Sequence, residues 1–172
     1  MTAFFSEALG KHDRCAFTSG NERIDTYFRQ TVSQDVKRGY AVCYVLVEKA
    51  SAKLAGFYTL SSHSIPLTEL APDMARKLPR YPSVPAALIG WLGRDAGFRG
   101  LQVGSMLLAD AITHLAAAPL GLHAICADAI DDTAADFYRE HQFQAFVSRP
   151  NALYLPMKTA LALVAARKPR LD

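Results

Sequence analysis

The sequence predicts a mixed α/β sheet, and three observations carry that prediction. Two β-branched and aromatic runs, Tyr40 to Glu48 and Leu54 to Ser61, flank the turn-like Lys49-Ala50-Ser51-Ala52 and form an antiparallel hairpin. Two apolar strands, Ala86 to Leu92 and Gly121 to Ala127, are each followed by a helical pattern, the succession that places strands in parallel. Between the first of these strands and its helix lies Arg99-Gly100-Leu101-Gln102-Val103-Gly104-Ser105, a glycine-bearing turn that opens into the helix.

Taken in order, Met1 to Lys11 carries Glu7 in a broken apolar stretch and is assigned no element. Ser19-Gly20-Asn21 signals a helix start, and Ile24, Tyr27, Phe28, Thr31, Val32 and Val36 follow at spacings of three and four, giving one or two amphipathic helices. After the hairpin, Pro66, Pro72, Pro79, Pro82 and Pro85 exclude a long helix, while Glu69 to Leu78 has room for a short one. Val103, Met106, Leu107, Ala111, Ile112 and Leu115 give the next helix a buried stripe. Asp131 and Asp132 cap a helix with Ala134, Phe137, Tyr138 and His141 on one face. Gln144 to Val147 and Ala152 to Leu155 are short strands around an Arg149-Pro150-Asn151 turn, and Lys158 to Arg167 is a last, alanine-rich helix.

A chain of 172 residues with 51% hydrophobic content fits one domain, 1–172, with a basic tail, Arg167-Lys168-Pro169-Arg170, read as a solvated end. The net charge of +3 permits an anionic partner without demanding one. Cys15, Cys43 and Cys126 are widely spaced with no CxxC, so reduced thiols in the cytoplasm are expected, with no zinc site. The five histidines share no metal-ligand spacing, and no metal is expected. No run reaches the roughly 18 apolar residues of a membrane span, so neither export nor membrane insertion is expected.

The chemistry concentrates in three places. The first-turn amides of a helix have no intrahelical acceptor, so Arg99 to Ser105 has the design of a pyrophosphate site; it also reads as a plain strand-to-helix turn. Tyr138 suits a general acid, since a phenol returns a proton to a basic leaving group such as a thiolate; it also reads as a core aromatic with its hydroxyl at the rim. Arg76, Lys77 and Arg80 with Tyr81, and Lys37 with Arg38, suit RNA backbone contacts and base stacking, or equally a solvated charge cluster. His63 and Ser64 border the second strand of the hairpin without the nucleophile elbow of a hydrolase.

Arg99-Gly100-Leu101-Gln102-Val103-Gly104 resembles the R/Q-x-x-G-x-G/A signature of the GNAT superfamily of acetyl-CoA-dependent N-acetyltransferases, with Gln102 at the usual middle glycine. Four further segments resemble a narrower group, the acetyltransferase toxins of bacterial type II toxin–antitoxin systems. They are Phe17 to Glu22 with Gln34 to Arg38, Gly56 to Ser61, Leu78 to Pro82, and Ala134 to His141. Two departures stand out: Gln142 precedes Phe143 where the group has glycine, and Trp91 occupies a strand position that is usually basic.

The resemblance implies a GNAT-like domain whose mostly antiparallel sheet is splayed between two parallel strands, with acetyl-CoA between the strands that run from Ala86 and from Gly121. It implies that Leu92, Gly93 and Arg94 offer backbone groups to the pantetheine arm and that Gly100 to Ser105 hold the pyrophosphate. It makes Tyr138 the general acid, aminoacyl-tRNA the acceptor and a ribbon-helix-helix antitoxin the partner. It also implies a homodimer, which exposed aromatics near Tyr27 and Tyr81 permit. A GNAT enzyme for a small amine or a protein N-terminus, and a degenerate CoA-binding module marked by Gln102 and Gln142, are the alternative functions.

Overall fold

The computed structural model describes residues 3–167 and divides into two compact units, Met1–Ser61 with Gly90–Ala111 and Ser62–Ile89 with Ile112–Asp172. Two of the three boundaries fall inside strands and the third inside a helix. The strands are hydrogen-bonded in the order β1-β2-β3-β4-β5-β7-β6. The mixed, mostly antiparallel sheet expected from the sequence is what forms.

In the first unit, β1 (Phe4–Ala8) pairs antiparallel with β2 (Val42–Glu48), from Phe4 opposite Glu48 to Ala8 opposite Tyr44. β1 carries no signal in the sequence, because five residues with no clear alternation become a strand only when a partner edge satisfies their amides. β2 turns through residues 49–53 into β3 (Leu54–Pro66), pairing Val42 with Leu60, so the predicted hairpin is present. β3 outruns its predicted end, which places His63 and Ser64 within the strand and exposed to solvent.

Asn21 caps α1 (Glu22–Thr26), its side chain accepting from the Arg23 and Ile24 N–H groups. Asp25 on that helix is buried and accepts from the Ser19 N–H at 2.8 Å and the Ser19 hydroxyl at 2.7 Å, which fixes the loop before it. A π turn, Tyr27–Thr31, follows, in which the Val32 N–H donates to the Tyr27 carbonyl. α2 (Val32–Lys37) then ends at Arg38, and Gly39 takes φ +75°. The Phe28 and Phe57 rings stack at 4.0 Å and Phe17 meets both edge-on, forming the core beneath these helices. Tyr27 lies in this core at 7% exposure, so it is not the exposed aromatic the sequence indicated, while Tyr81 in the second unit is 68% exposed.

β4 (Ser83–Arg94) begins earlier than predicted and leads through a 3-10 turn, Ala96–Phe98, to α4 (Val103–Ala117). Gly56 lies against that helix. A Cβ there would lie 2.6 Å from Leu107 Cδ1 and 2.9 Å from the Gly93 carbonyl oxygen, so only glycine lets β3, α4 and the end of β4 meet.

In the second unit, β4 pairs in parallel with β5 (Ala124–Asp128), from Ala86 opposite Ala124 to Ile89 opposite Ala127. β4 itself runs on to Arg94, beyond the last pair. β5 pairs antiparallel with β7 (Arg149–Pro156), and β7 with β6 (Gln144–Phe146). Arg149, Pro150 and Asn151 belong to β7, so the turn falls at Val147 and Ser148 instead. Pro150 sits in its strand where the ladder with β6 has already slipped, between Ala145 and Phe146. The short helix expected over Glu69 to Leu78 is confined to α3 (Pro72–Ala75), which has Pro72 in its first turn. Asp131 caps α5 (Asp132–Glu140), and α6 (Met157–Arg167) closes the described chain, leaving Lys168, Pro169 and Arg170 outside the described residues. No described helix is long and apolar enough to cross a membrane.

Candidate active site

The first part of the site is the end of β4 and the turn that follows. Asp95 anchors it: its carboxylate accepts from the Gly97 N–H at 2.8 Å and the Thr18 N–H at 3.0 Å, and its own N–H donates to the Ala55 carbonyl at 2.9 Å. Past Arg99 the chain takes φ +83° at Gly100 and +57° at Gln102, and the helical ladder of α4 begins with the Met106 N–H donating to the Gln102 carbonyl. The Val103 and Gly104 amides therefore point out of the helix N-terminus, where the macrodipole favours an anion. No heavy atom lies within 4 Å of where a Gly100 Cβ would stand, so glycine is needed there for its backbone angle alone.

Gln102, at the position of the usual middle glycine, holds the left-handed conformation that glycine favours. The turn thus keeps its shape, with an exposed amide side chain added. Arg94 ends β4. Its Nε is buried and has no hydrogen-bond partner among the described residues, so a cationic donor stands ready for an anionic group. Leu92 and Gly93 precede it on β4, and a Cβ at Gly93 would lie 2.8 Å from both Ile24 Cγ2 and Phe57 Cε1.

In the second unit, Tyr138 is carried by α5. The Asp131 carboxylate caps the helix, accepting from the Ala134 N–H at 2.8 Å. At the other end the Phe143 N–H donates to the Tyr138 carbonyl at 3.1 Å and the Gln142 N–H to the Arg139 carbonyl at 2.9 Å. Gln142 has φ +68°, and the Phe143 and Tyr138 rings meet at 5.1 Å. This is the Schellman arrangement, complete with its hydrophobic contact. Gln142 therefore does the work of the usual glycine in holding Tyr138. The tyrosine is 5% exposed. Burial, and after it the Asp128 carboxylate, raise its pKa above the ordinary phenol value, so it stays protonated.

Both glutamines carry a backbone cost that glycine lacks. Gln102→Gly and Gln142→Gly are each expected to raise unfolding free energy by up to about 1 kcal/mol, net of glycine's larger unfolded-state entropy. Urea denaturation of the two variants checks this; a loss of stability would mean that the glutamine side chains hold contacts outweighing the strain.

Lys37 and Arg38 end α2 in the first unit, whereas Arg76, Lys77 and Arg80 follow α3 in the second, and all five are exposed. Arg76 Nε donates to the Pro72 carbonyl at 3.3 Å. Cys15 is exposed, while Cys43 and Cys126 are buried and their thiols are pushed up to about 12 by desolvation. Among the described residues, no three His, Cys, Asp or Glu side chains are grouped to hold a metal ion. Sequence reasoning missed the anchoring role of Asp95, although Asp95-Ala96-Gly97 after a strand is a recognisable turn signal. The isolation of Arg94 Nε has no signal in sequence.

No protein-family model matches the chain. The probable toxin TacT of Sinorhizobium fredii is 32% identical over 163 residues, covering 90% of both chains. The tRNA-acetylating toxin of Mycobacterium tuberculosis is 33% identical over 154 residues, covering 88% of this chain and 90% of that one. The chain belongs to the family of tRNA-acetylating toxins. Solved structures agree with this toxin family at the level of fold. A tyrosine-to-phenylalanine mutant of KacT matches with a TM-score of 0.87 at 24% identity, over 94% of this chain and 99% of that one. AtaT complexed with acetyl-methionyl-tRNAfMet gives 0.84 at 23% identity, over 93% and 98%. A tyrosine-to-phenylalanine mutant of AtaT, bound to the C-terminus of the antitoxin AtaR and to acetyl-CoA, gives 0.78 at 21% identity, over 94% and 98%.

Proposed function

We propose that the chain transfers the acetyl group of acetyl-CoA to the α-amino group of an aminoacyl-tRNA in the cytoplasm and thereby stops translation. The reading extends to this chain what its relatives are named for, and it takes all of residues 1–172 as one GNAT-type domain. The observation that carries it is the unpartnered Arg94 Nε at the end of β4, followed by a turn whose left-handed residues deliver backbone amides to the start of α4. A half-buried arginine with an unpartnered Nε, followed by outward-pointing amides, fits a pyrophosphate better than it fits any neutral ligand.

Acetyl-CoA, when bound, supplies a thioester carbonyl for the amine to attack and a thiolate to depart. Amides from Gly100 to Ser105 hold the pyrophosphate, with Arg99 and Leu101 shaping the turn, and Arg94 neutralises its charge. The main chain of Leu92 and Gly93 aligns the pantetheine arm, and the strand amide near Leu92 polarises the carbonyl oxygen. Tyr138 gives its proton to the sulfur. Lys37, Arg38, Arg76, Lys77 and Arg80 contact the RNA backbone. A ribbon-helix-helix antitoxin and a second copy of the chain complete the assembly. The left-handed backbone at Gln102 and Gln142 favours a working enzyme over a degenerate module.

Arg94→Met is expected to weaken acetyl-CoA binding roughly tenfold or more, on the scale of a lost charge-assisted hydrogen bond, as read by calorimetry; unchanged affinity would take Arg94 out of the cofactor site. The function itself is tested with labelled acetyl-CoA offered to charged total tRNA beside uncharged tRNA and a panel of free amines. Label on charged tRNA alone is expected. Label on a free amine would make this an enzyme of small-molecule metabolism, and binding without any transfer would make it a CoA-binding module.

A further inference from the structure

An acceptor amine brings protons that must leave. As an ammonium it has no lone pair with which to attack, and after attack its nitrogen still holds one proton too many. A carboxylate near the proton donor would serve both departures. In the second unit, Glu69 is paired with Arg149 at 2.6 Å, Asp136 is paired with Arg139 at 3.0 Å, and Asp131 caps α5. Asp128 takes part in none of these bonds and is exposed.

Asp128 is the last residue of β5, and a rigid strand holds it in place. It stands opposite Ala152 of β7, and the next N–H, that of Ala129, donates to the Asn151 carbonyl at 2.7 Å. The parallel ladder with β4 stops one residue earlier, at Ile89 opposite Ala127. Asp128 is thus the first residue of β5 beyond that ladder.

Side chains alternate along a strand, so Asp128 shares the face of Ala124 and Cys126. Those two are buried with Leu70, Val84 and Tyr154, and Met74 and Leu78 pack against the same cluster. The Tyr154 hydroxyl donates to Met74 Sδ at 3.0 Å. This face is therefore the one covered by the segment that carries Arg76, Lys77 and Arg80. An acceptor held by these cations meets the sheet on the side of Asp128. The carboxylate is also within electrostatic reach of the Tyr138 phenol, whose pKa it raises after burial has done so.

We propose that Asp128 binds the α-ammonium of the aminoacyl group and takes up the protons its nitrogen sheds, an inference that rests on the aminoacyl-tRNA reading above. The ammonium gives one proton to Asp128, which passes it to solvent. The freed lone pair forms the bond to the thioester carbon, and the nitrogen's second proton leaves by the same carboxylate. The carbon–sulfur bond breaks, the sulfur departs with the Tyr138 proton, and solvent returns a proton to the phenolate. One proton is released overall. Acetylation also removes the positive charge, so the product loses its ion pair with Asp128 and substrate is held in preference to it.

The test uses the charged tRNA that accepts most label from wild type, with its amino group either free or chemically acetylated. Affinities for the two forms are measured without acetyl-CoA, and kcat/KM for transfer is measured beside them. Wild type is expected to bind the free-amine form roughly tenfold or more tightly, on the scale of a hydrogen bond between charged groups. Asp128→Asn and Asp128→Ser are expected to bring that ratio to within about threefold and to lower kcat/KM by roughly 10²-fold. Asp128→Glu should keep the preference. Acetyl-CoA affinity is the check on folding and should hold in all three.

Equal affinity of wild type for the two forms would overturn the inference. So would a preference that survives in Asp128→Asn and Asp128→Ser, even with kcat lowered, because Asp128 would then act through Tyr138 alone. In either case transfer to charged tRNA still stands. Absence of transfer to any charged tRNA by wild type would overturn the acceptor assignment itself, and this inference with it.

Discussion

Tyr138→Phe is expected to lower acetyl transfer to charged tRNA by roughly 10²- to 10⁴-fold, the range for a lost general acid, with acetyl-CoA affinity unchanged. The substitution removes one oxygen and keeps the ring, so the contact with Phe143 that completes the helix end survives. The fall should therefore appear in kcat and leave KM for acetyl-CoA alone. The raised pKa adds a second expectation, with its sign fixed by which form works. A phenol donates only when protonated, and burial with Asp128 nearby holds Tyr138 protonated past its ordinary value of 10.0. Wild-type kcat should thus show no alkaline decline between about pH 9 and pH 10 from this group. Near-wild-type turnover in Tyr138→Phe would remove the residue from the mechanism, and a loss matched by weaker acetyl-CoA binding would make it a packing residue.

Replacing Arg76, Lys77 and Arg80 together by glutamine is expected to raise KM for charged tRNA by roughly 10- to 100-fold at near-physiological salt. Each phosphate contact releases condensed counterions, so losing three should flatten the dependence of log KM on log salt by about two units. All three side chains are exposed, and among the described residues Arg76 Nε donates to the Pro72 carbonyl at the fold's surface, so stability should hardly change. kcat at saturating tRNA and acetyl-CoA affinity should remain as they were. A salt dependence identical to wild type would place the RNA surface elsewhere, and the Lys37 and Arg38 pair at the end of α2 is then the next to neutralise.

Much of this architecture is legible in the chain wherever a local interaction decides the outcome. Asn21 and Asp131 cap helices because each side chain meets amides two or three residues on, and both were readable. The hairpin, the turn at Gly100 and the stripe of α4 are equally local. β1 was not legible, since only pairing with β2 makes it a strand. The Arg149-Pro150-Asn151 segment has the composition of a turn, yet the pairing of Arg149 with Phe146 of β6 draws it into β7. In the candidate site, Tyr138 and the glycine turn are singled out by spacing and resemblance. The Arg94 Nε is not, because it depends on what surrounds a side chain, which spacing does not encode. In sequence, Gln102 and Gln142 are compatible with either a weakened enzyme or tolerated drift; in the structure both hold the left-handed φ that glycine favours.

The π turn between α1 and α2 sets an angular phase. An α-helix advances about 100° per residue, and the bond from the Val32 N–H back to the Tyr27 carbonyl accommodates one residue more than an α turn would. Everything C-terminal to it, Lys37 and Arg38 included, is rotated by about that angle from where an uninterrupted helix would aim it. The heading of this basic helix end is therefore fixed by residue count upstream. A one-residue deletion within residues 27–31 would redirect both cations while leaving their identities untouched, so insertions and deletions in this stretch re-aim a surface that point substitutions only weaken.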